Sequence, residues 1–179
     1  MIPLSDLGKR LCILGPSNSG KSTLATAIGR KCSFDVIHLD QLHHLPNTDW
    51  QVRPANEFIA LHQVAIARDH WVMDGNYSSC LDQRLERATG LILLDVSTAT
   101  SLWRYFCRTL FEPGRHGGLE GKRDSLKWSM IHHIMARTPG NRIRYERMFC
   151  ELDLPKIRLS SVREINRCYK RWGLQLHGE

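Results

Sequence analysis

The 179-residue sequence has no apolar run near the roughly 18 residues that a membrane span requires, and none of its cysteines forms a C-x-x-C pair. The first absence argues against a membrane-spanning helix. The second argues against a zinc ribbon, and the scatter of Cys12, Cys32, Cys80, Cys107, Cys150 and Cys168 gives no disulfide framework. These cysteines are expected to be reduced thiols, mostly buried. The opening Met1-Ile2-Pro3-Leu4-Ser5-Asp6 lacks the charged-then-apolar order of a signal peptide, so a cytoplasmic location is expected. No internal repeat or low-complexity segment is visible. Two histidine pairs, His43-His44 and His132-His133, have no carboxylate or cysteine cluster beside them, and neighbours in sequence point in different directions, so no structural metal is expected.

Positive charge is scarce in one part and concentrated in another. Residues 1–100 carry 9 Lys/Arg against 10 Asp/Glu, whereas residues 101–147 carry 10 against 4, and the chain as a whole is +7. Nucleic acid or an acidic membrane surface would attract such a segment, and so would a bound polyphosphate ringed by arginines. Arg142, Arg144 and Arg147 form a basic helical stripe, read here as a solvated face because no recognition helix or interleaved aromatics accompany it.

Against this background stands Gly15-Pro16-Ser17-Asn18-Ser19-Gly20-Lys21-Ser22, which meets every fixed position of the G-x-x-x-x-G-K-[ST] phosphate-binding loop. An apolar run, Arg10-Leu11-Cys12-Ile13-Leu14, precedes it, and a helix-forming stretch from Thr23 follows. In such a loop, backbone N–H groups surround the β-phosphate and the helix that follows turns its positive end to it. Lys21 then reaches the β- and γ-phosphates, and Ser22 ligates Mg²⁺. ATP and Mg²⁺ are the expected ligands. A GTPase would need an Asn-Lys-x-Asp segment, and none is present.

Further along, Asp35-Val36-Ile37-His38-Leu39 reads as a second strand ending at Asp40. A long connection through Pro46, Trp50 and Arg53 follows, then a helix from Pro54 with Phe58, Leu61, His62, Ala65 and Ile66 on its buried face. Trp71-Val72-Met73 is a third strand ending at Asp74, where a carboxylate can hold Mg²⁺ through water; Asp-Gly is also a common turn pair. Ser78 or Ser79 can cap the next helix, which Gly90 ends. Residues 90–96 read as an interior strand covered on both faces. A helix from Thr98 turns Leu102, Tyr105, Phe106 and Leu110 inward and carries Arg104 and Arg108 four apart. A glycine-broken basic loop comes next, then a helix from Ser125, an interruption at Pro139-Gly140, and a basic helix to about Leu152. Lys156-Ile157-Arg158-Leu159 is the last strand, and Ser161-Val162-Arg163-Glu164 is a capping box. The alternation predicts a single α/β domain over residues 1–179, with about five parallel strands and helices on both faces. Residues 41–69 read as an acceptor-binding insertion and 112–125 as a mobile lid.

The phosphate loop, the aspartates at two strand ends and the late basic loop together resemble the adenylate-kinase-like small P-loop kinases over nearly the whole chain. His38-Leu39-Asp40 with Pro46 and Trp50, followed by Trp71-Val72-Met73-Asp74-Gly75-Asn76-Tyr77, is similar to the group known as DNA topology modulation proteins or uncharacterised adenylate kinases. The resemblance implies an ATP-dependent phosphotransferase acting on a small nucleotide or metabolite, or else a nucleotide-binding regulator associated with nucleic acid. It implies that Arg104 and Arg108 touch adenine and phosphates and that Arg115 and Arg123 close on the transferring phosphoryl group. Adenylate kinases continue Asp-Gly-Phe-Pro-Arg, with the arginine on the acceptor's phosphate; Asn76-Tyr77-Ser78 stands there instead. The expected acceptor pocket consists of Asp40, Trp50, Arg53, Gly75 and Asn76. Asp40 would orient an acceptor hydroxyl and take its proton, whereas Arg53 would serve an acceptor that carries phosphate. Lys21, Asp40, Asp74, Arg115 and Arg123 form the expected catalytic set.

Overall fold

The computed structural model describes residues 2–111 and 128–175, without the side chains of residues 108–139. Its elements are β1 (Arg10–Leu14), α1 (Lys21–Cys32), β2 (Asp35–His38), α2 (Leu39–His43), α3 (Ala55–Ile66), β3 (Trp71–Asp74), α4 (Leu81–Arg87), β4 (Gly90–Leu94), α5 (Thr98–Phe111), α6 (Trp128–Glu151), β5 (Lys156–Leu159) and α7 (Val162–Trp172). The five strands form one sheet in the order β2-β3-β1-β4-β5, and every neighbouring pair is parallel. Parallel strands need crossover helices, so both faces of the sheet are covered.

The side-chain period of two divides each strand between two cores. Leu11, Ile13, Val72, Ile92 and Leu94 pack with Leu24 and Ile28 of α1 and with Ile165, Cys168 and Trp172 of α7. Cys12, Leu14, Trp71, Met73, Leu91 and Leu93 pack on the other face with Phe58 and Ile66 of α3, Leu81 of α4 and Tyr145 of α6. The phosphate loop leaves the carboxyl end of β1 between β3 and β4, the strand neighbours on its two sides. That edge of an open α/β sheet is where ligands sit.

Most predicted elements are present at nearly the predicted positions. The capping box forms: the Glu164 amide donates to Ser161 Oγ at 3.2 Å, and Glu164 Oε2 accepts from the Ser160 amide at 2.6 Å, one residue further back than the usual reciprocal bond. Gly173, at φ 58°, closes α7.

Five expectations are corrected. β2 stops at His38, so Asp40 lies in the first turn of α2 and not at a strand end. Leu61 and Phe106 are largely exposed, because α3 and α5 bury narrower stripes than their apolar content suggests. Neither Ser78 nor Ser79 caps α4; a 3-10 turn over Ser78–Cys80 leads into it without a side-chain bond. α4 ends at Arg87 with Ala88 as its extended C-cap, and Gly90 instead opens β4, where the Leu7 carbonyl approaches so closely that a Cβ would lie 2.4 Å from it. Pro139-Gly140 lies inside α6. An interior proline costs a helix about 3 kcal/mol, but Tyr145 in the core and Arg142 on Asp95 hold the second half of α6 to the sheet.

Candidate active site

The loop over residues 15–22 takes its shape from backbone conformations that L side chains seldom adopt: Gly15 at φ 144°, Asn18 at 60° and Gly20 at 97°. A Cβ on Gly15 would lie 2.2 Å from the Leu94 carbonyl, so only glycine lets the loop leave β1 against the end of β4. Gly20 precedes α1, whose N-terminus has no side-chain cap and no acidic residue in its first turn. Amide donors and the positive helix end thus face the loop's cradle, with Thr23 in that first turn. Lys21 Nζ donates to the carbonyls of Gly15 at 2.9 Å and Pro16 at 2.7 Å. On the α5 side, Arg104 Nη1 donates to the Ser19 carbonyl at 2.7 Å and so touches the loop itself.

Asp74 reaches this cradle through strand phase. The alternation that turns Val72 towards α1 turns Asp74 the same way, and Ser22 Oγ donates to Asp74 Oδ2 at 2.7 Å. His38 is the register partner of Asp74 across β2 and β3, so the two side chains share a face, and His38 Nδ1 makes a short hydrogen bond to Asp74 Oδ1. Burial pushes the Asp74 carboxyl up, but hydrogen bonds from His38 and Ser22 and the charges of His38 and Lys21 outweigh it and leave the group below its ordinary range. Asp74 is therefore a carboxylate, and His38 is the donor.

A second group of residues faces this cluster from the connection after β2. Tyr77 Oη donates to Asp40 Oδ1 at 2.6 Å, which ties the first turn of α2 to the chain after β3. His43 packs against Phe58 and Tyr77 with ring centroids 5.0 and 4.6 Å away, and His44 meets Trp50 edge-on at 5.1 Å. Desolvation and the neighbouring His44 lower the pKa of His43, against the pull of Asp40, so it is neutral near neutral pH. The connection is a small hairpin: His44 bridges Val52 antiparallel, the Leu45 amide bonds the Gln51 carbonyl, and Asn47 and Trp50 both take positive φ. Arg53 anchors its root, donating through Nε to the Leu42 carbonyl at 2.9 Å and pairing with Glu57 at 3.6 Å.

On the other side of the loop, Gly15, Pro16, Ser17 and Asn76 share a cleft with Asp95, Arg142 and Tyr145. Asp95 continues the β4 ladder through its amide, which bonds the Leu159 carbonyl at 2.9 Å. Its carboxylate is clamped by Arg142 at 2.7 Å and Arg158 at 2.5 Å, and Arg158 also pairs with Glu146 at 2.7 Å.

Ser22 and Asp74 therefore meet at the loop that carries Lys21, and Arg104 bonds that loop; Asp40 is tied through Tyr77 to the chain after β3, and Arg53 and Trp50 belong to the hairpin that follows α2. Asn76, expected in the acceptor pocket, bonds the backbone of Gly15 with both amide atoms of its side chain. Arg115 and Arg123 lie outside the described residues, as does the proposed lid, and Arg108 is described only in its backbone. Sequence reasoning missed His38, Asp95 and Arg84. His38 was legible only through the strand register, and Asp95 follows an apolar strand just as Asp74 does. Arg84 is fully buried and donates to the Gly75 carbonyl at 3.0 Å, with no signal in its neighbours.

Among the described residues no group of three or more His, Cys, Asp or Glu side chains could hold a metal by itself. Magnesium at a nucleotide site needs only one or two protein oxygens, since phosphate and water supply the others. The bonded Ser22 hydroxyl and Asp74 carboxylate fit that requirement. No helix among the described residues is long and apolar enough to cross a membrane.

No family model matches the sequence, and no curated protein matches it significantly. Among solved structures, a gluconokinase from Sinorhizobium meliloti superposes with a TM-score of 0.57 at 16% identity, covering 93% of this chain and 90% of its own. An unliganded sugar kinase from a Janibacter species gives 0.51 at 15% identity, over 96% of this chain and 99% of its own. At these identities the likeness is one of fold: this chain has the α/β architecture of those kinases.

Proposed function

We propose that the protein is an ATP-dependent phosphotransferase that moves the γ-phosphoryl group of ATP to a small acceptor. The observation that carries this reading is the cluster at the uncapped start of α1, where the Ser22 hydroxyl and the His38 imidazole both bond the Asp74 carboxylate and the charge of Lys21 acts on it from the loop. Lys21 would turn from the loop carbonyls to the β- and γ-phosphates, and Ser22 and Asp74 would hold Mg²⁺, directly and through water respectively. Bound Mg²⁺ would supply charge neutralisation for the departing diphosphate. His38 would keep the Asp74 carboxylate ionised and aimed. Arg104 and Arg108 would border the nucleotide from α5, and Arg115 and Arg123 would close on the phosphoryl group in flight.

For the acceptor we favour a hydroxyl. Asp40 is oriented by Tyr77 in the first turn of α2, and a carboxylate held in this way could align an alcohol and accept its proton. The two structural neighbours, named gluconokinase and sugar kinase, point the same way. A phosphate-bearing acceptor would rely on Arg53 instead, although its guanidinium is already committed to the Leu42 carbonyl and Glu57. The test is ADP release with Mg²⁺ and ATP against a panel of sugars, sugar acids, nucleosides and nucleoside monophosphates. With the best acceptor, Asp40→Asn should slow turnover by roughly 10²–10⁴-fold at little cost in ATP affinity. Full activity in Asp40→Asn with loss in Arg53→Ala would move the assignment to a phosphate acceptor. Steep, salt-sensitive DNA binding without any acceptor turnover would favour a nucleotide-binding regulator.

A further inference from the structure

Gly15 is buried at the end of β1, and one side chain meets both of its backbone groups. Its N–H donates to Asn76 Oδ1 at 3.2 Å, and its carbonyl accepts from Asn76 Nδ2 at 2.9 Å. The same carbonyl accepts from Lys21 Nζ, also at 2.9 Å. A carbonyl oxygen has two lone pairs, so Gly15 holds Asn76 and Lys21 side by side. The other acceptor of the lysine, the Pro16 carbonyl, belongs to a half-buried residue with access to water.

We propose that Asn76 is a positioning residue that keeps the Gly15 carbonyl hydrogen-bonded when Lys21 turns to a phosphate, and so sets how easily the loop gives up its lysine to ATP. The inference rests on the phosphotransferase reading above, because it concerns the movement of Lys21 that phosphate binding demands. A buried carbonyl stripped of every donor carries a penalty equivalent to roughly 5- to 150-fold in an equilibrium. With Asn76 in place that penalty does not oppose the departure of the lysine. Without it, Lys21 is the donor that Gly15 would lose, and phosphate must compete with the loop for the ammonium. Asn76 can stay still while Lys21 moves because its corner is fastened separately. The Gly75 amide bonds the Ile13 carbonyl at 3.3 Å, and the Gly75 carbonyl accepts from the buried Arg84 at 3.0 Å. Gly75 itself, at φ 129°, would drive a Cβ to 2.8 Å from that of Leu39, so the turn that aims Asn76 at Gly15 requires glycine.

The experiment is a double-mutant cycle between Asn76→Ala and Lys21→Ala, read in two ways. Calorimetric titration with ATP and Mg²⁺ should show Asn76→Ala weakening affinity about 10-fold when Lys21 is present and by less than about 2-fold in the Lys21→Ala background. Urea unfolding without nucleotide provides the same cycle where binding is too weak to titrate. There, Lys21→Ala should shift the folding equilibrium about 10-fold further in Asn76→Ala than in the unsubstituted protein, because Gly15 then loses both donors. Asn76→Asp should preserve hydrogen-exchange protection of the Gly15 amide, since an acceptor oxygen remains, yet bind ATP as poorly as Asn76→Ala. Equal losses in both lysine backgrounds would show that Asn76 only shapes the loop, and would overturn the proposal. So would unchanged ATP affinity with a raised acceptor KM in Asn76→Ala, which would return Asn76 to the acceptor. If the unsubstituted protein bound no ATP at all, the phosphotransferase reading would fall first and take this inference with it.

Discussion

Asp74 ends β3 and Asp95 follows β4, the two strands that flank β1; both are almost fully buried, and both come after a run of apolar residues. Their surroundings differ in kind. Asp74 is held by a hydroxyl, an imidazole and the distant charge of Lys21, so its oxygens are met by groups that a metal ion or phosphate can rearrange. Asp95 is clamped by two guanidiniums, which bind it to α6 and β5 and neutralise it where it stands. The cause is one step of strand phase. Asp74 falls in line with Val72 and faces α1 and the phosphate loop, whereas Asp95 falls in line with Leu91 and Leu93 and faces α6. A carboxylate at the rim of a parallel sheet is thus a tool or a rivet according to the face it points to.

The largest effect expected lies on the Asp74 side. Lys21→Ala should reduce phosphoryl transfer by more than about 10³-fold and Asp74→Asn by roughly 10²–10³-fold, with chelation of Mg²⁺ abolishing turnover of the unsubstituted protein. Turnover that survives either substitution in a folded protein would end the claim that this aspartate is the functional one. Asp95→Asn should act mainly on stability. Removing a buried charge from two arginines costs on the order of 3 kcal/mol, at the low end of such changes because both guanidiniums are partly exposed and can rehydrate. Urea titration measures this directly. A transfer defect equal to that of Asp74→Asn, with the unfolding midpoint unmoved, would erase the distinction between the two aspartates.

Acid provides the smallest and finest separation. His62 is fully buried, and desolvation, reinforced by the charge of Arg84, lowers its pKa to about 4 from an ordinary 6.5. Between those values the unfolded chain binds a proton that the folded chain refuses, so stability falls as pH falls through this window. From neutral pH to about pH 5 the loss from His62 should be about 2 kcal/mol, and His62→Phe should remove it, leaving the smaller slope that the lowered pKa of His43 contributes. The stability contributed by Asp74, whose folded pKa is depressed, is present above its unfolded value near 3.9 and disappears only below it. A slope between pH 6.5 and 5 that persists undiminished in His62→Phe would place the acid-sensitive group elsewhere.

Much of the architecture was legible in the chain. The phosphate loop declares itself through glycine spacing, the strands through short apolar runs that alternate with helical periodicity, and α7 through its capping box. The failures are local and have local causes. Asp40 looked like a strand end because β2 and α2 join without a turn residue between them, and Pro139 looked like a break because the tertiary contacts that hold α6 together are distant in sequence. The aromatic connection after β2 was marked out by its length, but its hairpin pairing and the bond from Tyr77 to Asp40 had no local signal.

By itself the sequence determined that a glycine-spaced loop of the phosphate-binding pattern would sit at the end of a strand in a parallel α/β sheet, because those features depend on residue type and near-neighbour spacing. Asp74 was already picked out by its place after an apolar run; only the tertiary structure decided that Asp95 is clamped by arginines, that His38 stands beside Asp74, and that Asn76 bonds Gly15. β3 and β4 are buried on both faces, since helices cover both, and an unbroken apolar run carries no mark of which residues point which way; β2, at the sheet edge, is too short for its pattern to tell. That phase is set when strands distant in sequence lock into register, where Asp35 to His38 lie against Trp71 to Asp74, and no local pattern in the chain records it.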